Sequence, residues 1–373
     1  MTKTIDIKSL ARKCIMDSYM YVAGKPIEEV KRELGLKEII KLASNENPLG
    51  PSPKAVEAIK KSADQIHLYP DDHNYYLKQK LSKLHNLSPE NFVIGNGSMQ
   101  LFELICKTFI HENEEMVVAN PTFRVFDSLI RTAGGLLKTV PLKNHAHDVD
   151  AMLAACTEKT KIIALVNPNN PTGTNIPKEE VERFINGVPT NAVAILDEAY
   201  IDFMDKDKYN SPEFLDKCPN LIILRSFSKI MGLAGLRIGY AITNKEVAQV
   251  IEKARMPFTV SLPAQVAAAA SLDDASFREK SIKLVHEQKN KMYKFLESMN
   301  IEYIPSQANF IAVKLDGIDD KEFFGQMLKE GIIILAGKNM LMPGYIRVTL
   351  GTDEQMKKFY TAFEKIYKKL KKA

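Results

Sequence analysis

Lys161-Ile162-Ile163-Ala164-Leu165-Val166 runs directly into Asn167-Pro168-Asn169-Asn170-Pro171-Thr172-Gly173. A continuous apolar run of this length, rich in β-branched residues, suits a strand buried on both faces, and the Asn/Pro/Gly cluster ends it. Four more runs share the design: Phe92-Val93-Ile94, Met116-Val117-Val118-Ala119, Val193-Ala194-Ile195-Leu196 and Leu221-Ile222-Ile223-Leu224. Longer mixed segments separate them, such as Lys178 to Ile185, and these are long enough for crossover helices. Strands alternating with helices predict an α/β fold with a mostly parallel sheet between helical layers.

On either side of residues 90–245 the texture differs. The first 44 residues are polar and mixed, with a short helix expected from Pro26 to Leu34, ended by Gly35. Leu42 to Pro53 reads as a loop, and Lys54 to Ser62 as a helix. After Pro263 come an alanine-rich stretch and a long charged helical segment, Ser276 to Met299. Strands are expected at Asn309–Val313, Gly331–Leu335 and Tyr345–Thr349, with a closing helix from about Glu354. The expected division is an N-terminal arm, 1–46, that contributes to the small domain and to closure of the site. A large domain follows over 47–262, then a small α+β domain over 263–373.

Composition narrows the function by exclusion. Of 373 residues, 45% are apolar and 26% charged, an ordinary globular balance that can bury a sizeable core. The net charge of +5 arises in the tail, because Lys365 to Ala373 holds five lysines and no acid. Nucleic acid is therefore not an expected partner, since such proteins carry their excess on a folded face. The four cysteines are dispersed, so neither a zinc-knuckle spacing nor a disulfide framework is present, and no metal site is expected. No run of about eighteen apolar residues and no apolar leader core occurs, so no membrane association is expected and a cytoplasmic location is.

Ligands of open α/β sheets bind beyond the carboxyl ends of the strands. The five runs deliver there Gly95-Asn96-Gly97-Ser98, Asn120-Pro121-Thr122-Phe123, the Asn167–Gly173 loop, Asp197-Glu198-Ala199-Tyr200 and Arg225-Ser226-Phe227-Ser228-Lys229. Each has an ordinary reading: a helix-capping turn, a charged strand end, a surface lysine. Five that complement one another point to one site. The Gly-x-Gly-Ser turn before an apolar helix can cradle phosphate. Lys229 after a buried strand can be a desolvated amine that condenses with an aldehyde. Asp197 can keep a proton on a heterocyclic nitrogen, Arg237 can neutralise phosphate, Tyr200 and Asn170 can reach a ring hydroxyl, and Phe123 can cover a ring face. Pyridoxal phosphate needs this set of groups.

With Gly232-Leu233-Ala234-Gly235-Leu236-Arg237-Ile238-Gly239-Tyr240 added, these motifs resemble the fold-type-I pyridoxal-phosphate aminotransferases. Gly24–Val30, Lys41–Pro48, Leu68–Asp71 and Tyr345–Thr352 extend the resemblance to the histidinol-phosphate aminotransferases within them, over residues 21–352. The resemblance implies a large domain with a seven-stranded-type sheet. Lys229 would carry the cofactor and shuttle a proton, Asp197 would pair with its ring nitrogen, Tyr200 and Asn170 would bind its hydroxyl, and Phe123 would stack on it. Ser98, Met99, Ser226, Ser228 and Arg237 would hold its phosphate. Tyr69 would reach the cofactor of a neighbouring subunit, so a homodimer with shared sites is implied. Arg347 and Tyr21 would bind substrate, with Asn170 also facing it.

The implied reaction is ping-pong transfer of an amino group between glutamate and a phosphorylated imidazole ketone, imidazole-acetol phosphate, in histidine biosynthesis. One departure bears on it. After Gly-Ile-Ile-Ile the family commonly places an arginine that grips the substrate phosphate, and here that residue is Leu335, with Lys338 nearby. An aromatic or prephenate aminotransferase of the same fold is the alternative this favours. The rival from another class is a regulatory binding protein, against which every cofactor position is chemically intact.

Overall fold

The computed structural model describes residues 6–18, 27–36 and 38–372. Its strands are β1 (Ile40–Lys41), β2 (Phe92–Gly95), β3 (Glu115–Asn120), β4 (Leu136–Pro141), β5 (Thr160–Val166), β6 (Val193–Asp197), β7 (Leu221–Ser226), β8 (Gly239–Thr243), β9 (Tyr303–Ile304), β10 (Phe310–Lys314), β11 (Ile332–Ile333), β12 (Leu335–Ala336) and β13 (Tyr345–Thr349).

Seven of these form one sheet in the order β2-β8-β7-β6-β5-β3-β4. Neighbours from β7 to β4 pair in parallel, and β8 is antiparallel to both β2 and β7. The five apolar runs became β2, β3, β5, β6 and β7. Two strands of the sheet carried no such run. β4 is an edge strand, largely in contact with solvent, so it needs no continuous apolar stretch. β8, Gly-Tyr-Ala-Ile-Thr, is fully buried but short and interrupted by small residues.

Every side chain of β2, β6 and β8 is buried, as are most of those in β3 and β5. Apolar layers cover both faces. On one face lie helices Ser98–Phe109 and Val125–Ala133, with Phe102 stacked on Phe126 at 4.2 Å. On the other, helix Lys178–Gly187 buries Val181, Phe184 and Ile185.

A second sheet, β12-β13-β10-β9, is antiparallel and packs with helices Asp320–Lys329 and Asp353–Lys371. The expected strand Gly331–Leu335 is split: β11 pairs in parallel with β1, and β12 joins β13. Residues 40–41 are thus stitched to the C-terminal part of the chain. Helix Leu262–Ser271 packs against Pro53–Ser62, and helix Ala275–Ser298 follows. Tyr21 and the Gly24–Pro26 part of its motif lie outside the described residues.

Candidate active site

The register of the large sheet brings the chemical residues to one edge. Gly95 and Ser226 both lie opposite Gly239, Asp197 lies beside Val166 and Leu224, and Gly95, Val166, Asp197 and Ser226 are the carboxyl ends of their strands, whereas Gly239 begins antiparallel β8. A cavity of about 650 Å³ opens there. Its lining includes Ser98, Met99, Phe123, Asn170, Asp197, Tyr200, Ser226, Ser228, Lys229, Arg237 and Arg347.

At one end, helix Ser98–Phe109 presents its N-terminus, preceded by Gly97 at φ 81°. A Cβ on Gly97 would stand 2.6 Å from the Arg237 guanidinium, and one on Gly239 would stand 2.7 Å from the Ser98 nitrogen. Only glycine lets these segments approach, which leaves backbone N–H groups and a guanidinium converging on one small space. The Ser228 N–H donates to Ser226 Oγ at 3.1 Å, fixing the neighbouring turn. Residues and backbone here fit a phosphate monoester.

Lys229 is half-buried, and its Nζ donates to the Ser44 carbonyl at 3.0 Å. It lies 5.7 Å from the Tyr200 ring centroid. Burial, then the nearby Arg347 and Arg237 charges, lower its pKa to about 8. A neutral amine is the form that adds to a carbonyl, so reaction with an aldehyde should quicken about tenfold per pH unit below 8 and level off above it. Stopped-flow absorbance on adding pyridoxal phosphate at pH 6 to 9 measures this. A rate that still climbs tenfold per unit at pH 9 would place the amine near an ordinary lysine.

Asp197 ends β6 with its carboxyl raised to about pKa 6 by burial, although the Ala199 N–H donates to it at 3.1 Å. Behind it Glu198 accepts from Arg225 Nε at 2.6 Å and from Ser211 Oγ at 2.8 Å, so of these two adjacent acids it is Asp197 that faces the cavity. A buried carboxyl of this kind suits a cationic heterocycle, which would return it to the ionised form.

The Tyr200 hydroxyl accepts from Asn45 Nδ2 at 2.9 Å and from Asn170 Nδ2 at 3.4 Å. Arg347 is buried, its guanidinium donating to Asn170 Oδ1 and, at 2.6 Å, to the Ala43 carbonyl, and lying 5.0 Å from the Phe310 centroid. Phe123 is held edge-on by Phe126 at 5.6 Å. This set of donors, an amine, an acid and an aromatic wall, fits pyridoxal phosphate.

Three further residues singled out in the sequence are placed as follows. Tyr69 does not line this cavity; it is 83% exposed and stacks on Phe258 at 4.7 Å. Leu335 lines the cavity, in register with Arg347 on the adjacent strand. Lys338 does not stand in for an arginine there, because its amine pairs with Asp319 and its N–H with Asp320 at 2.7 Å.

Sequence reasoning also gave no role to Ser44, Asn45, Asn339, Met340 or Arg124, all of which line the cavity. Asn45 adopts φ 56° and is held by Thr349 and Asn309, so its aim depends on strands far away in sequence. Its place in Lys41–Pro48 was the available signal.

Comparison with known proteins agrees with this geometry. The family model for aminotransferase class I and II matches residues 37–363. Histidinol-phosphate aminotransferase of Moorella thermoacetica is 43% identical over 95% of this chain and 92% of its own length. That of Caldicellulosiruptor saccharolyticus is 42% identical over 95% and 99%. The crystal structure of the Sinorhizobium meliloti histidinol-phosphate aminotransferase in complex with pyridoxal-5'-phosphate superimposes with a TM-score of 0.87 at 29% identity, covering 96% of this chain and 98% of that one. A cavity built for an amine, an acid and a phosphate, carried by a chain this similar to such enzymes over nearly its whole length, places the protein in the class I and II aminotransferase family.

Proposed function

We propose that this protein is a histidinol-phosphate aminotransferase, moving an amino group from glutamate to imidazole-acetol phosphate in histidine biosynthesis, with pyridoxal phosphate as cofactor. The observation that carries the reading is the convergence of Lys229, Asp197, Tyr200 and Arg347 on one cavity. Identity above 40% to named histidinol-phosphate aminotransferases supports the substrate.

When bound, pyridoxal phosphate supplies an electron sink for negative charge at the substrate's α-carbon. Lys229 would hold the cofactor's aldehyde end, and its amine, lowered to about pKa 8, would take and return the substrate's α-proton. Asp197 holds the proton on the ring nitrogen. Tyr200, backed by Asn45 and Asn170, hydrogen-bonds the ring hydroxyl. Phe123 covers the ring face. Ser98, Met99, Ser226, Ser228 and Arg237 hold the cofactor phosphate. Arg347, already oriented by Asn170 and the Ala43 carbonyl, binds a substrate anion without first losing rotamer freedom. Tyr21 is assigned to substrate binding by its motif.

The active unit in this proposal is a cytoplasmic homodimer with shared sites, its chain divided into an arm, a large domain and a small domain. Leu68, Tyr69, Tyr75, Tyr76, Met256 and Phe258 are exposed on adjoining segments, which Arg255 ties together by donating to Asp72 at 2.7 Å. That apolar area suits a second copy and supports a role for Tyr69 across the interface. Among the described residues no helix is long and apolar enough to cross a membrane.

Leu335 supports the second reading, an aromatic or prephenate aminotransferase, because leucine offers apolar contact and no charge. Turnover of histidinol phosphate, phenylalanine and prephenate-derived amino acid with 2-oxoglutarate separates the two. We expect kcat/KM for histidinol phosphate to exceed that for phenylalanine by about 10²-fold, the value of a specific charged contact. Negligible turnover of histidinol phosphate would leave the aromatic reading.

A further inference from the structure

Asp197 and Glu198 are consecutive acids at the end of β6, and of the two only Asp197 lines the cavity. Successive side chains of an extended segment point to opposite sides, so whatever holds Glu198 on its side also sets the aim of Asp197. The Glu198 side chain is fully buried, a costly place for a carboxylate that lacks partners. It accepts from Arg225 Nε at 2.6 Å and from Ser211 Oγ at 2.8 Å, and Arg225 Nη2 donates to the same Ser211 Oγ at 3.2 Å. The three groups close a triangle, and none can turn away without breaking two contacts.

The triangle joins three segments. Glu198 follows β6, Arg225 belongs to β7 one residue before Ser226, and Ser211 opens the turn Ser211–Phe214. Asp202, another acid near Arg225, is taken up by Arg278 at 2.7 Å, which leaves Glu198 as the ion-pair partner of Arg225. The main chain is gripped at the same point from both sides. The Asn167 N–H donates to the Asp197 carbonyl at 2.9 Å, and the Glu198 N–H donates to the Leu224 carbonyl at 2.9 Å. Those bonds fix where Asp197 sits and leave the direction of its side chain open. Among the described residues its carboxylate accepts one hydrogen bond, from the Ala199 N–H at 3.1 Å. That N–H belongs to the peptide group following Glu198, so the tether on Glu198 also steadies the donor that orients Asp197.

We propose that Glu198, locked by Arg225 and Ser211, is a positioning residue that aims Asp197 at the ring nitrogen of pyridoxal phosphate. The inference rests on the place given to Asp197 in the function proposed above and deepens it. A charge-assisted hydrogen bond depends on direction, and a displacement of about 1 Å costs about 10²-fold.

The test measures, by fluorescence titration of cofactor-free full-length protein, the affinity for pyridoxal phosphate and for its analogue with carbon in place of the ring nitrogen, which Asp197 cannot bond. The wild type should prefer pyridoxal phosphate by about 10- to 100-fold. Glu198→Met combined with Arg225→Met removes the triangle and leaves no buried charge unpaired, a replacement that folds commonly accept. That double variant should lose about tenfold or more of the preference and bind the analogue within about twofold of wild type. Ser211→Ala, which removes two of the three contacts, should lose about three- to tenfold of the preference. Equal weakening of both ligands would make the triangle a packing feature of the fold, and an undiminished preference in the double variant would free Asp197 from Glu198. Either result overturns this inference while the proposed function stands. If the double variant does not fold, the same two outcomes read on Ser211→Ala decide. A wild type without any preference removes Asp197 from the ring nitrogen and overturns that assignment and this inference together.

Discussion

Lys229→Ala is expected to lower transamination by about 10⁴-fold or more, the largest effect of any single substitution, because covalent attachment and proton transfer both pass through one amine. Burial and two neighbouring guanidinium groups hold that amine near pKa 8, whereas a surface lysine would be almost wholly protonated at neutral pH. Among the described residues no other lysine lines the cavity. Borohydride reduction of the protein mixed with pyridoxal phosphate, followed by peptide mass mapping, reads the outcome directly. The wild type should yield a stable adduct on Lys229, and Lys229→Ala none. An adduct of equal yield in the variant would mean that a different amine carries the cofactor.

The second large effect concerns Asp197. Asp197→Asn should reduce kcat about 10²- to 10³-fold, the loss that follows when a buried charge is deprived of its partner. Stability should move the other way. A carboxyl raised to about pKa 6 from 3.8 binds protons more readily folded than unfolded. Its ionised form therefore burdens the fold fully above pH 6, and the burden is relieved as pH falls through 6 toward 3.8. At pH 7.5 the cofactor-free Asp197→Asn protein should be more stable than wild type by up to about 3 kcal/mol. Thermal melts of both proteins at pH 7.5 and pH 5 check this. An advantage for the variant that is unchanged at pH 5 would rule out Asp197 ionisation as its origin. Such a residue is held at a cost in stability because the reaction needs it.

Much of this was legible before any coordinates. Five buried strands announced themselves by continuous β-branched runs, and each delivered its polar end residues to the cavity. Strands β4 and β8 did not, one because an edge needs no apolar run and the other because Gly239 is there to admit Ser98. The split of Gly331–Leu335 between two sheets is invisible to periodicity, since Ile332 through Leu335 form one unbroken apolar run. Ser44 and Asn45 were hidden for a different reason. Nothing in a local window says that an asparagine will be turned to positive φ and aimed at a phenol 155 residues away.

Arg347 reaches the Ala43 carbonyl, and Thr349 reaches Asn45, across 304 residues of chain. At ordinary rates of synthesis the ribosome needs roughly 15 to 60 seconds to make that intervening length. Throughout that interval the large sheet can assemble, but Ala43 and Asn45 lack the contacts from Arg347 and Thr349 that complete their hold over Lys229. The nascent protein is thus a scaffold without a working pocket until β13 is released. Chemistry at Lys229 is withheld from partly made chains by the order in which the sequence emerges.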